Sequence, residues 1–361
     1  MHHALPKRIA AALVLAGLFA FTPPAQSQVD NESDITLGGL INPKGTDKTA
    51  PGEYKKNGPY KIAFALPGVG NSWIVQTIEE GKVEAARHKD IGSFVQTDAE
   101  WQPAKQVADL EDLLTKNVDA LIIGTVTPSN VNAELDKFAE RHIPVVVSGS
   151  GTTGKFAVEI RGGGEYFGRV GGQYLVQQLH GKGTVWAFRG VAGIQEEVDR
   201  YNGFASALKG TDVKIGSEVY GDWGYAKAKQ ECTDLVLSGK PVDGIWFSGA
   251  EMTRACLDVF AQYHKPLVPM TGEANNGFLR IWKSSGVSSV APVFPPGLST
   301  AAVRATLALL EGKSVYKHYW SEPAPITSAT LDKFYRPDMN DNFWVPTSLP
   351  EDKVKELYAK K

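Results

Sequence analysis

Short apolar runs alternate with amphipathic segments along most of the chain. The first run, residues 62–66, is too short for a helix and ends at Pro67 and Gly68. After a glycine-containing turn, Asn71 and Ser72 are candidate helix N-caps, and apolar residues then recur at helical spacing. The pattern predicts a strand, a turn and a helix, which together open an α/β sheet.

This unit repeats up to about residue 160 and starts again after a glycine-rich joint. Helices that join strands apolar on both faces indicate parallel sheets with right-handed crossovers. The first series has predicted strands at 60–66, 93–97, 120–123, 144–147 and 156–160, with helices at 71–88, 103–116 and 129–141. The second has strands at 184–188, 213–219, 243–247, 267–268, 287–293 and 325–327, with helices at 165–179, 196–208, 225–238, 250–263, 275–284 and 298–311.

Two such series predict an α/β protein of two Rossmann-like lobes joined by a hinge, with a ligand cleft at the carboxyl edges of their sheets. We assign 59–160 plus 293–320 to the N-terminal lobe, and 161–292 plus 321–350 to the C-terminal lobe and a wrapping tail. Residues 28–58 show no apolar period. They are predicted to form an irregular extension that is either disordered or lies over the surface.

The first residues have the features of a cleavable signal peptide, which we assign to 1–27. Lys7 and Arg8 precede an apolar run at 9–21, and the small residues of 25–27 fit a cleavage site. The apolar run is too short to span a bilayer comfortably. We therefore expect an exported protein.

Charge and motifs exclude several classes of function. A formal net charge of −2 over 361 residues shows no excess of positive charge that would favour binding to nucleic acid or an anionic membrane. The chain has no G-x-S-x-G, HExxH or P-loop motif. Glu196 and Glu197 are adjacent carboxylates, but neighbouring helix residues point to different faces, so a role at a helix N-terminus is favoured. We predict no catalysis, no metal and no cofactor.

The two cysteines leave two states open. Cys232 and Cys256 fall on consecutive predicted helices, and an even pair in an oxidising compartment can form a disulfide. Helices packed side by side need not bring two sulfur atoms within bonding distance, so buried free thiols are the favoured interpretation.

Tryptophans mark the expected cleft. Trp73 follows the first strand of the first series, and Trp223 follows strand 213–219 in the second. Both lie at a carboxyl edge, one in each lobe, where they could sandwich a sugar face or a planar ring. The alternative for Trp73 is packing against the next helix.

Three segments carry a resemblance to a known family. Asn-Ser-Trp at 71–73, the run 190–204 and Gly-Ala-Glu-Met at 249–252 resemble the periplasmic binding proteins of type I, in particular those that bind ribose. The resemblance spans about 60–315. It implies a monomer that captures a solute in the periplasm by lobe closure and delivers it to an ABC permease.

The resemblance also implies roles for individual residues. Asn71 matches a ligand-binding Asn, Trp73 and Trp223 match stacking aromatics, and Arg200 matches an Arg that donates to ligand oxygens. The structural alternative for Arg200 is an ion pair with a carboxylate on its own helix, Glu196 or Asp199.

Departures from the family pattern predict a less polar pocket. The Asp-Arg pair that grips sugar hydroxyls is replaced by Gly149 and Ser150, an Asn by Gly249, and an Asp by Thr271, with Glu273 close by. A pocket carboxylate that a ligand leaves without a hydroxyl partner is energetically costly, so such groups restrict binding to matching sugars. A pocket that lacks them is less selective. The predicted ligand-binding set is Asn71, Trp73, Ser150, Arg200, Trp223, Thr271 and Glu273.

The expected function is therefore that of a periplasmic receptor of an ABC importer for a sugar-like or less polar solute. A ligand-sensing accessory of a membrane sensor kinase, with the same fold, is the alternative. A hydrolase would need a nucleophile or a metal site that the sequence does not offer.

Overall fold

Two parallel sheets flanked by helices make up the body of the molecule. The computed structural model describes residues 34–361, and the predicted signal peptide, 1–27, lies outside them. In chain order the elements are β1 (Asn42–Pro43), β2 (Tyr60–Leu66), α1 (Ser72–Arg87), β3 (Ile91–Asp98), α2 (Pro103–Thr115), β4 (Ala120–Ile123), α3 (Asn132–Glu140), β5 (Val145–Gly149), β6 (Val158–Arg161), α4 (Gly164–Gln178), β7 (Lys182–Arg189), α5 (Gln195–Leu208), β8 (Asp212–Tyr220), α6 (Tyr225–Leu237), β9 (Gly244–Phe247), α7 (Ala250–Gln262), β10 (Met270–Thr271), α8 (Asn276–Ser285), β11 (Ser289–Val290), α9 (Leu298–Leu310), β12 (His318–Trp320), α10 (Leu331–Phe334) and α11 (Glu351–Tyr358).

The strand order confirms the predicted α/β class with parallel sheets. The first sheet runs β1-β12-β6-β5-β4-β2-β3 and the second β11-β10-β9-β7-β8. Every pairing is parallel except that of β1 with β12. All four residues of β4 and of β9 are buried, as expected for central strands covered by helices on both faces.

The two sheets follow the predicted lobes. β12 joins the first sheet although it lies far along the chain, and α9 packs on the same sheet through its buried apolar residues. The exact limits of the lobes, 59–160 plus 293–320 and 161–292 plus 321–350, remain a prediction.

The short strands of the second sheet differ from the expectation. The strand predicted at 267–268 lies at Met270–Thr271, and the one predicted at 287–293 is limited to Ser289–Val290. The strand predicted at 325–327 is a single bridge between Ile326 and Ala291. Prolines lie beside these strands in the sequence, and a residue without an N–H cannot donate to a ladder.

The extension lies over the surface of the first sheet in its described part, 34–58. Ile35, Leu37 and Ile41 are buried in the core of this lobe, and β1 adds an edge strand to the sheet. Of the two arrangements left open by the sequence, the structure therefore shows the surface arrangement.

The favoured interpretation of the cysteines is wrong. Cys232 on α6 and Cys256 on α7 form a disulfide, and their Cα atoms lie 5.5 Å apart. This separation is within the range that a disulfide requires. Which residues of two packed helices face each other is set by the fold, and helical spacing alone does not reveal it.

No helix within 34–361 is both long enough and apolar enough to cross a bilayer.

Candidate functional site

A cavity of about 110 Å³ lies between the carboxyl edges of the two sheets. Side chains from both lobes and from the C-terminal tail line it. The lining residues are Phe64, Leu66, Pro67, Asn71, Trp73, Ile74, Thr77, Trp101, Gly124, Thr125, Ser148, Gly149, Ser150, Ile194, Glu196, Arg200, Trp223, Gly249, Ala250, Glu251, Glu273, Phe294 and Trp344.

Two tryptophans enter the cavity from matching turns. Trp101 follows β3 and Trp223 follows β8, each preceded by an acidic residue, and their ring centroids lie 6.4 Å apart. Glu100 and Trp101 have φ values of 53° and 60°, and Asp222 and Trp223 have values of 53° and 54°. The left-handed region costs residues with a Cβ about 1–2 kcal/mol each, and such strain is typical of functional sites.

Glycines leave the space that these rings occupy. A Cβ on Gly68 would lie 2.5 Å from the ring of Trp101, and a Cβ on Gly190 would lie 2.2 Å from the ring of Trp223. Each distance is far below van der Waals contact. The backbone after the first strand of each lobe therefore has to be glycine for the tryptophan to pack.

Trp73 is held from the other side of the cavity. Its Nε1 donates to the backbone oxygen of Phe294 at 2.7 Å, and the two rings pack with centroids 4.8 Å apart. Trp344 comes from the tail, and its Nε1 donates to Ser72 Oγ at 2.9 Å. Both indole N–H groups are thus bonded within the protein, so what these rings offer the cavity is apolar and π surface.

Arg200 lies buried at the cavity within a cluster of acceptors. Its Nε donates to Glu196 at 2.8 Å, and its Nη1 donates to the backbone oxygen of Ser248 at 2.6 Å and to Glu273 at 3.3 Å. Asp199 pairs instead with Arg161, at 2.6 Å. The structural alternative for Arg200, pairing with Glu196, is therefore present, although Arg200 also lines the cavity.

Burial dominates the protonation of this cluster. It raises the pKa of Glu273 to about 7, against the opposing effects of Arg200 and of the backbone N–H of Ala250. Burial also raises the pKa of Glu196, again opposed by Arg200. One guanidinium does not fully offset two buried carboxylates.

The other expected site residues are polar but already bonded. Asn71 caps α1, because its Oδ1 accepts from the N–H of Ile74 at 3.0 Å. The Ser150 hydroxyl donates to the backbone oxygen of Thr125 at 3.2 Å. Thr271 is not part of the lining, since its hydroxyl accepts from the N–H of Phe247 at 2.8 Å inside the second sheet. Six of the seven expected residues line the cavity: Asn71, Trp73, Ser150, Arg200, Trp223 and Glu273.

Sequence reasoning missed several lining residues. Trp101 could have been found, because Glu100-Trp101 repeats the acid-Trp pair of Asp222-Trp223 after the corresponding strand. Trp344 reaches the cavity over a separation of 272 residues from its partner Ser72, and no local pattern indicates this.

The lobes touch each other at the mouth of the cavity. Ser72, at the start of α1, donates from both its N–H and its hydroxyl to Glu251 at the start of α7. A small apolar cluster joins Ala99 and Val126 of the first lobe to Ile194 of the second. The structure is therefore a closed arrangement of the two lobes.

Among the described residues, seven buried side-chain polar atoms lack a hydrogen-bond partner, and one of them, on Thr77, is at the cavity. Thr77 lines the cavity and is 5% exposed, and its Oγ1 has no hydrogen-bond partner among the residues that the structure describes. A buried hydroxyl without a partner is costly and calls for an explanation. A ligand in the cavity would supply one.

Within residues 34–361, no three His, Cys, Asp or Glu side chains come together as potential metal ligands.

Two parallel-sheet lobes that close over a buried cavity define a bilobal binding protein. The chain belongs to the periplasmic binding protein family: the family described as "Periplasmic binding protein domain" matches residues 62–314. This confirms the resemblance inferred from the sequence motifs.

Curated relatives include the ribose import binding proteins of Haemophilus influenzae and Bacillus subtilis. Each is 22% identical to this chain; the first match covers 70% of this chain and 87% of the relative, the second 72% and 84%.

Solved structures share the fold. An ABC transporter solute binding protein from Thermobispora bispora is similar with a TM-score of 0.72 and 24% identity, over 82% of this chain and 94% of that one. The periplasmic component of the arabinose ABC transporter from Shewanella sp. ANA-3 has a TM-score of 0.70 and 20% identity, over 76% and 93%. At these identities the likeness concerns the fold.

Proposed function

We propose that this chain is a periplasmic receptor that captures a small solute between its two lobes and delivers it to an ABC permease. The observation that carries the proposal is the cavity of about 110 Å³ lined by both lobes, including Glu251, which accepts from Ser72 of the other lobe. The family and the import role named for the ribose relatives support it. The proposal includes no catalytic step.

The proposed ligand contacts combine stacking with a few polar groups. Trp101 and Trp223, one from each lobe, pack against each other and present their rings to the solute together with Trp73. Asn71 and Thr77 offer polar atoms on α1. This lining suits a solute with fewer hydroxyl groups than the sugars named for the relatives.

The disulfide supports an exported location. Cys232 and Cys256 are fully buried and joined, and such bonds persist in oxidising compartments but are rare in the cytosol. We therefore propose that the protein works in the periplasm, where the permease would receive its ligand.

A thermal-shift screen of the purified protein tests the receptor role. Separate sets of pentoses and hexoses, polyols, organic acids, aromatic solutes and amines would be compared. A ligand at 100 times its Kd adds about 2.7 kcal/mol of stability, which raises the Tm visibly. We expect a raised Tm within one set; an unchanged Tm across all sets would contradict solute capture.

A further inference from the structure

The walls of the cavity form an aromatic cage. Six aromatic rings line the space, and the indole N–H groups of three of them are bonded to protein oxygens. The six residues are Phe64, Trp73, Trp101, Trp223, Phe294 and Trp344. The face of an aromatic ring carries negative potential and attracts a positive group. The guanidinium of Arg200 already lies over Phe294 and Trp223, 4.6 and 5.9 Å from their centroids, so the other rings are left for a ligand.

The charged lining is acidic. Among the described residues, the charged side chains at the cavity are Glu196, Arg200, Glu251 and Glu273, which is three carboxylates against one guanidinium. Arg200 contacts Glu196 and Glu273, whereas Glu251 accepts its hydrogen bonds from uncharged Ser72. Because burial raises the pKa of both Glu196 and Glu273, the negative charge of the lining grows with pH and reaches −2 only when all three carboxylates are ionised.

The space is small. An engineered protein cavity of ~150 Å³ holds benzene, so about 110 Å³ suits a ligand of that size or slightly less. The buried hydroxyl of Thr77 adds one polar contact without a protein partner. A polyhydroxylated sugar would leave most of its hydroxyl groups against aromatic rings, which is costly.

Building on the receptor function proposed above, we propose that the cavity selects a compact organic cation that carries one small polar group, of the choline or amino-alcohol class. The cage contacts the cationic head, the acidic groups compensate its charge, and Thr77 bonds to the polar group. Arg200 serves to hold Glu196 and Glu273 in place.

Choline and its neutral carbon analogue, in which a carbon atom replaces the quaternary nitrogen, form a matched pair of probes. Their shapes are nearly equal, so a difference in affinity reports the charge. Calorimetric titration of the wild-type protein should give choline an affinity at least about tenfold higher than that of the analogue. D-ribose serves as the third probe.

Glu251→Gln tests the acidic contribution. Glu251 is only partly buried, so the change removes charge with little effect on packing. We expect the ratio of choline affinity to neutral-analogue affinity to fall about tenfold, because a weaker contact with Ser72 affects both probes alike and the lost charge affects choline alone. Glu140→Gln is the matched control, since Glu140 is exposed at the end of α3, and it should leave both affinities unchanged.

The pH dependence gives a second readout. Glu273 faces Glu196 and Arg200 of α5 and the backbone N–H of Ala250 on α7, and its pKa is raised to about 7. A cation favours its ionised form, so choline should bind more tightly at about pH 8 than at about pH 6. The neutral analogue should bind equally at both pH values.

The outcomes separate the two proposals. If the neutral analogue or ribose binds as tightly as choline or more tightly, the cation inference is overturned and the receptor function stands. If choline gives no heat up to about 10 mM, the inference is likewise overturned. The receptor function fails separately, when no set in the thermal-shift screen raises the Tm.

Discussion

At the scale of single residues, the cavity depends on a buried charge cluster. Arg200 is bonded to Glu196, to Glu273 and to the backbone oxygen of Ser248, so it positions two carboxylates beside the ligand space. Removing one partner of such a cluster leaves an uncompensated buried charge, which is strongly destabilising. The stability of the protein therefore depends on whether the carboxylates of this cluster are protonated.

Glu273→Gln should change how stability depends on pH. Burial raises the pKa of Glu273 from its ordinary value of 4.5 to about 7, so the folded state holds a proton that the unfolded chain releases over this pH range. The stabilisation from this proton is fully present below about pH 4.5 and is lost as the pH rises through about 7. The free energy of unfolding falls by roughly 3 kcal/mol as a result. Thermal melts of both proteins from about pH 5 to about pH 8 measure it.

The wild-type protein should lose stability relative to Glu273→Gln as the pH rises over this range. Glu140→Gln controls for the loss of a charge, because Glu140 is exposed. Parallel curves for wild type and Glu273→Gln would mean that Glu273 titrates normally in the folded protein.

At the scale of elements, matching turns and the tail complete the cavity. The strands and most helices follow from apolar periodicity, because those patterns are local. The left-handed turns that present Trp101 and Trp223 are visible only as a repeated acid-Trp pair. The pairing of Cys232 with Cys256 depends on how closely α6 and α7 pack, and that is a property of the folded molecule.

Gly190→Ala tests whether the turn after β7 makes room for Trp223. The new Cβ would lie 2.2 Å from the ring, so the ring must move, at a cost of about 1–3 kcal/mol. Gly224→Ala is the matched control, since its Cβ would come no closer than 3.7 Å to another atom. Urea denaturation should separate the two variants; equal stabilities would contradict the close approach.

The buried amide of Gln76 is one of several α1 side chains that bond the tail, beside Ser72 and Glu80. Gln76 donates from Nε2 to the backbone oxygen of Trp344 at 3.0 Å and accepts from the N–H of Trp344 at 2.9 Å. Gln76→Ala leaves this buried peptide group without partners, so we expect a loss of roughly 2–4 kcal/mol in urea denaturation.

Gln230→Ala, at an exposed position on α6, is the control for that variant and should stay within about 0.5 kcal/mol of wild type. A similar small loss for Gln76→Ala would show that the tail is not fixed through this amide.

At the scale of the whole molecule, two lobes and a tail enclose one space. The bilobal fold and six lining residues could be predicted, because strand order places the carboxyl edges of both sheets at the cleft. Phe294 and Trp344 could not be, since they arrive from distant parts of the chain. Thr271 lies close in sequence to Glu273 but is held inside the sheet by Phe247.

The central claim is that a solute binds between the lobes and contacts both. Calorimetric titration of the solute that gives the largest thermal shift, into wild type, Trp101→Ala and Trp223→Ala, tests it most directly. Each ring belongs to a different lobe and lines the same cavity, so each variant should lose about 1–3 kcal/mol of binding free energy while staying folded. Unchanged affinity in either folded variant would show that the solute does not contact that ring, which would contradict binding to both lobes.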